Sequence, residues 1–171
     1  MKLHLGCGKE HKKGWINCDI SKEVNPDKII DLEKKLPFKD NSIKEIYSRH
    51  TFEHVEKLME LMNEIYRISK NEAKIKIIVP YFAHPGAFQD PTHKRFFTLR
   101  TFDYFDSKNS YSYYSNARFK VINKKLIFFV LRPKISKILD YFINKNQILY
   151  ERFFSRIFPS EELIIEMVVK K

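Results

Sequence analysis

The chain has 171 residues, 43% of them hydrophobic, and a net charge of +11, a length and composition that suit one domain with a sizeable core. Its longest uninterrupted apolar run, Leu126 to Leu131, falls far short of the roughly 20 residues that cross a bilayer. Two cysteines, Cys7 and Cys18, make no disulfide framework, and the first thirty residues lack the form of a signal peptide.

In chain order, Lys2 to Leu5 reads as a buried strand running into Gly6-Cys7-Gly8. Trp15 to Ile20 reads as a second strand, with Asp19 eleven residues after Gly8. Glycines at a strand end let the backbone approach a ligand closely. A carboxylate at the tip of the next strand can accept both hydroxyls of a ribose, so the pair points to a nucleoside. A plain tight turn is the alternative for an isolated Gly-x-Gly. Cys7 is a small residue between turn glycines rather than a nucleophile.

Lys28 to Leu32 predicts a third, short strand, and Pro37 to Ser42 a turn centred on Asp40-Asn41-Ser42. Ile43 to Ser48 predicts a fourth strand. Glu56 to Ser69 is the clearest helix, with Leu58, Leu61, Met62, Ile65 and Ile68 at three- and four-residue spacing. Lys74 to Val79 is a fifth strand, stopped by Pro80. Residues 81–116 are aromatic and polar, with a short helix expected at Leu99 to Phe105. Phe119 to Leu131 predicts a sixth strand with a turn near Asn123. Pro133 to Phe158 has helical spacing at Ile135, Ile138, Leu139, Phe142, Leu149, Phe153 and Ile157, and Pro133 suits a first helical turn. Glu162 to Val169 closes the chain as a final strand.

Strands alternating with helical patterns imply an open, mostly parallel α/β sheet, whose ligands sit at the carboxyl ends of the strands. Gly6 to Gly8, Asp19, Asp31-Leu32, His50 and Pro80 then share one rim. Charge is uneven: +8 of the +11 lies between Arg118 and Phe158. A basic segment of this kind suits an anionic partner; a solvated Lys-rich surface is the plain alternative.

The set of motifs resembles the small class I S-adenosylmethionine-dependent methyltransferases of the type 11 kind. Carrying the resemblance are Leu3-His4-Leu5-Gly6-Cys7-Gly8, Gly14-Trp15-Ile16-Asn17-Cys18-Asp19-Ile20, Asp31-Leu32 with Leu36-Pro37-Phe38, Asp40-Asn41-Ser42, and His50-Thr51-Phe52-Glu53-His54-Val55. It spans residues 2–105 well and the remainder by topology only. It implies a Rossmann-like sheet in one domain (1–171), mostly parallel with an antiparallel C-terminal strand, and S-adenosyl-L-methionine as cofactor. Residues 81–118 become an acceptor-site insertion and 133–158 a basic amphipathic helical segment. Leu5, Gly6, Cys7 and Gly8 would pass under the methionine part of the cofactor. Asp19 would hold the ribose and Ile20 the adenine; Asp31 and Leu32 would border the adenine, with Asp31 accepting from its amino group. His50 would line the methionine end. The first helix of the family is shortened, since only Lys9 to Lys13 separate Gly8 from Gly14. The usual helix N-terminus facing the cofactor carboxylate is then missing, and Lys9, His11 or Lys12 are candidates to replace it.

Methyl transfer needs donor and acceptor held in line, with a base where the acceptor is a hydroxyl. His93 is the candidate base or acceptor ligand, supported by Asp90 three residues earlier; a structural turn capping the next helix is the alternative. His54, His84 and Arg95 are candidate acceptor-binding residues, with Arg95 suited to an anionic group. Tyr111, Tyr113 and Tyr114 either line the acceptor pocket or close a core. The expected reaction is methylation, at oxygen, of a small-molecule, glycan or lipid-linked acceptor. A cofactor-binding scaffold without activity is a second reading. A third takes His50-x-x-Glu53-His54 as a zinc-hydrolase pattern on one helix, but it singles out no third ligand, so no metal is assigned. The C-terminal basic segment suggests weak contact with an anionic membrane, hence a cytoplasmic protein at the inner face. No nucleic-acid module accompanies the charge.

Overall fold

The computed structural model describes every residue except Ser107, Ser110 and Tyr111. Seven strands form one sheet: β1 (Lys2–Leu5), β2 (Ile16–Asp19), β3 (Lys28–Ile29), β4 (Ile43–Arg49), β5 (Ser69–Pro80), β6 (Phe119–Ile127) and β7 (Glu162–Val169). Their order is β3-β2-β1-β4-β5-β7-β6. The first five pair in parallel, and β7 runs antiparallel between β5 and β6. The chain moves outward from β1 to β3 and returns on the other side of β1 to β4. Such a reversal opens a crevice at the strands' carboxyl ends.

Helices are few. α1 (Leu58–Ile68) buries Leu58, Leu61, Met62, Ile65 and Ile68, the stripe its periodicity predicts. No helix separates β1 from β2, and a single 3-10 turn at Lys22–Val24 separates β2 from β3. In place of further helices, the 81–119 stretch packs aromatic rings beside the sheet. Phe97 stacks on Phe102 at 5.4 Å, and Phe105 meets Phe119 edge-on at 6.5 Å. The short helix expected there is a 3-10 turn, Thr101–Phe105. Tyr113 and Tyr114 are exposed and lie against each other, so they close no core; Tyr111 lies outside the described residues.

Three boundaries differ from the sequence reading. β3 stops at Ile29 because the Asp31 carboxylate accepts the Glu33 amide at 2.9 Å and turns the chain. β5 begins at Ser69, directly after α1, and a bulge in its pairing with β4 absorbs the extra residues. The expected turn near Asn123 is a bulge between Val121 and Asn123 within one strand.

The C-terminal helical segment is interrupted. α2 (Pro133–Lys145) ends at Asn146, whose side chain accepts the Leu149 amide, and the chain continues through Gln147–Leu149 into a π-helical turn at Tyr150–Phe154. α2 turns a polar face to the sheet. Asn144 accepts the Leu126 amide and donates to its carbonyl, both at 2.8 Å. Asp140 accepts the Phe128 amide at 2.8 Å, and Gln147 donates to the Lys124 carbonyl at 2.7 Å. These side chains satisfy backbone groups that edge strand β6 leaves unpaired. As a result Ile138 and Phe142 face outward, as do Leu149, Phe153 and Ile157 beyond the break.

One face of the sheet holds the core, with Leu3, Leu5, Ile46, Ile75, Ile77, Leu163, Ile165 and Met167 buried. Among the described residues, none of the helices lies on the other face. There Lys2 pairs with Glu45 at 2.7 Å and Lys76 with Glu166 at 2.9 Å, while the Lys12 ammonium sits 4.0 Å from the Tyr47 ring centre.

Candidate active site

The crevice at the reversal point is a cavity of about 310 Å³ walled by Gly6, Gly8, Asp19, Ile20, Asp31, Leu32, His50, Thr51 and His54, together with Cys18, Ile30, Glu33 and Val55. Gly6 and Gly8 have φ of +65° and +49°, which favours glycine. A Cβ on Gly6 would stand 2.0 Å from Thr51 Oγ1, whereas one on Gly8 would meet nothing within 4 Å. Gly6 is thus required by packing, and Gly8 leaves open space beside the loop.

Asp19 closes the loop. Its Oδ2 accepts the Gly8 amide at 2.8 Å and its Oδ1 the Ser21 amide at 3.0 Å. Each carboxylate oxygen can accept more than one hydrogen bond, so Asp19 can hold the loop and a ligand hydroxyl together. Asp31 pairs with Lys34 at 3.1 Å. Leu5 and Cys7, expected at the cofactor, are not among the walls: both side chains are buried. Burial pushes the Cys7 thiol up, and the Cys18 thiol up to about 12, so neither is a thiolate. Two of the three side chains expected to replace the missing helix N-terminus, His11 and Lys12, are engaged elsewhere. His11 bonds the Val24 carbonyl at 2.9 Å, and Lys12 lies over Tyr47 on the open face.

A second cavity of about 350 Å³ adjoins the first, lined by Arg49, His50, Glu53, His54, His84, Gln89, Asp90, His93 and Glu162 among others. His50 and His54 belong to both. His50 adopts φ +50°, sparsely populated for a side-chain-bearing residue. Its Nε2 lies 2.7 Å from Glu162 Oε1 and its Nδ1 3.3 Å from Glu53 Oε1. The hydrogen bond to Glu162 first, and then the Glu53 carboxylate beside Nδ1, push its pKa up to about 9, so the imidazole is charged at neutral pH. Burial alone would raise the Glu162 carboxyl, but His50 and Arg49, the latter at 2.8 Å, outweigh it and hold it low.

The sequence pattern pairs Asp90 with His93, and the structure divides them differently. His93 Nδ1 bonds the Ala87 carbonyl at 2.8 Å, while its Nε2 stands 3.9 Å from Asp90 Oδ2, too long for a hydrogen bond. Asp90 Oδ1 instead accepts the Thr92 hydroxyl at 2.7 Å, and Thr92 Oγ1 lies 2.9 Å from His54 Nδ1. With its proton given to Asp90, Thr92 accepts from His54 Nδ1–H. Asp90 therefore orients His54, and a backbone carbonyl orients His93. His84 Nδ1 accepts the Gly86 amide at 3.0 Å. Arg95 is not at the cavity: its guanidinium donates to the Val55 and Glu56 carbonyls and straps down the turn that carries His54.

Residues 50–54 do not form one helix. Phe52–His54 is a 3-10 turn, and His50 precedes it in a left-handed conformation. His50 is turned to Glu162, so the zinc-hydrolase geometry of His50, Glu53 and His54 is not built. Thr51, Thr92 and Glu162 are site residues that the sequence reading did not place, and Glu53 entered it only through the zinc-hydrolase pattern.

Residues 3–77, just under half the chain, match the family model described as a methyltransferase domain. Over those residues the chain carries a methyltransferase domain, and its fold is that of S-adenosylmethionine-dependent methyltransferases. Solved structures extend the likeness of this methyltransferase over its whole length. A SAM-dependent methyltransferase from Archaeoglobus fulgidus is 19% identical with a TM-score of 0.64, covering 98% of this chain and 85% of that one. The YcgJ protein of Bacillus subtilis is 15% identical with a TM-score of 0.63, covering 99% and 92%. The chain bound to the Trm112 methyltransferase activator in a Haloferax volcanii complex is 17% identical with a TM-score of 0.62, covering 99% and 82%. At these identities the likeness is one of fold. No curated protein sequence matches. The cofactor of the family is S-adenosylmethionine, and the first cavity suits it: the open space at Gly8 and the Asp19 carboxylate are what a nucleoside with an amino-acid tail requires.

Proposed function

We propose that this methyltransferase methylates a hydroxyl oxygen on a small-molecule or glycan-like acceptor bound in the second cavity. The carrying observation is that His50 and His54 wall both cavities, so the methionine end of one site opens onto the other. When bound, the cofactor supplies an electrophilic methyl carbon on a sulfonium. The residues around it do the remaining work. Asp19 anchors the ribose, Asp31 and Leu32 border the adenine, and Ile20 packs against it. Glu53 and Glu162 place two carboxylates, and His50 a positive charge, beside the junction. The acceptor hydroxyl loses its proton to one of the two bases of this cavity, His93 or Asp90, as its oxygen is methylated, a task suited to a group within one hydrogen bond of the reacting atom.

The acceptor class rests on the walls. Histidine, carboxylate, guanidinium and amide groups suit a polyhydroxylated ligand, and the exposed Phe88 and Phe96 rings, stacked at 4.4 Å, offer a platform beside Gln89 for a sugar face. His84 is placed to contact the acceptor.

A second observation favours a lipid-linked acceptor and a cytoplasmic protein held at the inner membrane face. An apolar hollow of about 580 Å³ lies among Phe128, Phe129, Leu139, Phe142, Leu149 and Phe158, flanked in sequence by Lys124, Lys137, Lys145 and Arg152. Apolar side chains with basic neighbours are the composition of an interfacial surface. Among the described residues no helix is long and apolar enough to cross a membrane.

The test begins with calorimetric titration of S-adenosylhomocysteine. Wild type is expected to bind, and Asp19→Ala to bind at least tenfold more weakly, about 1.4 kcal/mol. Methyl transfer from labelled cofactor to hydroxylated glycans should then follow. Cofactor binding without turnover on any acceptor would favour the scaffold reading.

A further inference from the structure

The second cavity holds a group that neither the cofactor nor proton transfer explains. Glu53 is 1% exposed, and neither carboxylate oxygen makes a hydrogen bond. His50 Nδ1, 3.3 Å from Oε1, is a charge partner without hydrogen-bond geometry. The charged His50 imidazole stands beside Oε1 alone, and a buried carboxylate whose other oxygen meets nothing is costly unless a further cation or donor reaches it. One atom each of Glu53, His54 and His93 lie within 4.8 Å of one another.

The two imidazoles are set up in a definite way. His54 gives its Nδ1 proton to Thr92, which is fixed by Asp90, and His93 gives its Nδ1 proton to the Ala87 carbonyl. In the tautomer these bonds select, each ring carries its lone pair on Nε2. Metal-binding histidines are held in this fashion, with the distal nitrogen donating to a carbonyl or a carboxylate-backed partner.

We infer that Glu53, His54 and His93 bind one divalent first-row transition ion in the acceptor cavity. One carboxylate and two imidazoles with open positions suit such an ion. Three ligands on bonds of about 2.1 Å stand roughly 3.4 Å apart at the tetrahedral angle, so from separations of up to 4.8 Å a closing movement of just under about 1 Å per side chain completes the site. The inference rests on the second cavity as the acceptor site. The ion receives the acceptor hydroxyl oxygen and lowers the cost of its negative charge. The O–H bond breaks with its electron pair left on oxygen, and the proton passes to Asp90 Oδ2, the oxygen Thr92 does not use. His54 differs from the ligands expected of the abandoned zinc pattern in one respect: its partner is His93, thirty-nine residues away, and not His50.

The test is titration of Co²⁺ into tag-free, chelator-treated full-length protein, read by visible d–d absorption and calorimetry. Wild type is expected to take up one equivalent. His93→Ala and Glu53→Gln should each weaken uptake at least tenfold, while His11→Ala, on the far loop, should not. His54→Ala, at a half-exposed position, is a further variant should Glu53→Gln fail to fold. No uptake by wild type, or uptake that survives all three ligand substitutions, overturns the inference. S-adenosylhomocysteine titration of the same samples separates the two readings. Cofactor binding without Co²⁺ uptake overturns the cation site alone. Site-dependent Co²⁺ uptake without cofactor binding supports the cation site and removes the methyltransferase role on which its purpose rests.

Discussion

Gly6 and Gly8 share a left-handed backbone but differ in what a side chain would meet. A methyl on Gly6 would be driven into Thr51, a clash of the kind that costs about 1–3 kcal/mol. Gly6→Ala is expected to lower the melting temperature and weaken S-adenosylhomocysteine binding. Gly8→Ala pays only backbone strain, about 1–2 kcal/mol, and keeps its surroundings. Thermal unfolding of both variants should rank Gly6→Ala as the more damaged; the reverse order would remove Thr51 as the reason for that glycine. The glycine loop and Asp19 were legible because strand spacing brings them to one rim, although the Asp19 bond to the Gly8 amide was not foreseen. Glu162 was not legible. It meets His50 only because β7 inserts beside β5 and sets Glu162 opposite Pro80, and no local pattern encodes that register. Thr92 likewise reads as a turn residue until the fold carries it to His54.

At the scale of elements, Arg67 on α1 holds the loop that ends at β4. Its guanidinium donates to Glu64, Asp40 and the Leu36 and Phe38 carbonyls, and Glu64 accepts the Leu36 amide at 2.8 Å. That loop carries Asp31 and Leu32 into the cofactor cavity. Arg67→Met is expected to weaken S-adenosylhomocysteine binding several-fold in calorimetry without touching the ligand. The pair also has a pH signature. Arg67, and then the Leu36 amide, hold the Glu64 carboxyl below its usual value against the opposing effect of burial. Its contribution to stability is fully present above the ordinary carboxylate range and is lost as pH falls through the lowered value. The acid limb of a melting-temperature profile should therefore be steeper in wild type than in Arg67→Met; parallel limbs would refute this. α2 shows why the C-terminal third was the hardest to read. Its apolar spacing predicts a buried stripe, yet the side chains turned inward are Ser136, Asp140 and Asn144, because what they cover is a strand edge that needs donors and acceptors. Asn144→Leu should uncover that edge and give concentration-dependent self-association by light scattering, with wild type unchanged over the same range.

For the whole molecule, charge and apolar exposure coincide in the C-terminal third. Ile138, Tyr141, Phe142, Phe153 and Ile157 are exposed in the segment that holds +8 of the net +11. Flotation with anionic vesicles at low salt is expected to carry the protein upward, and added salt to release it; Phe142→Ser with Phe153→Ser should stay at the bottom. Absence of wild-type flotation would remove the membrane reading while leaving the catalytic one intact. The open, mostly parallel sheet was legible from the alternation of patterns. The thinness of the molecule was not, since short loops where the family has helices say little about what lies on either side.

That thinness has a consequence for the cofactor. Where β1 and β4 run side by side, Ser48 faces inward and donates to the Leu5 carbonyl at 2.8 Å, while Tyr47 and Arg49 face the helix-free side of the same strand. Behind the strands, the Lys12 and Trp15 side chains on Tyr47, and not a helix, make the cover between the cofactor crevice and solvent. In most folds of this class an armour of helices would shield that partition; here it works as a diaphragm, so amide exchange along Tyr47 to Arg49, followed from the rear, should report whether the crevice in front is filled.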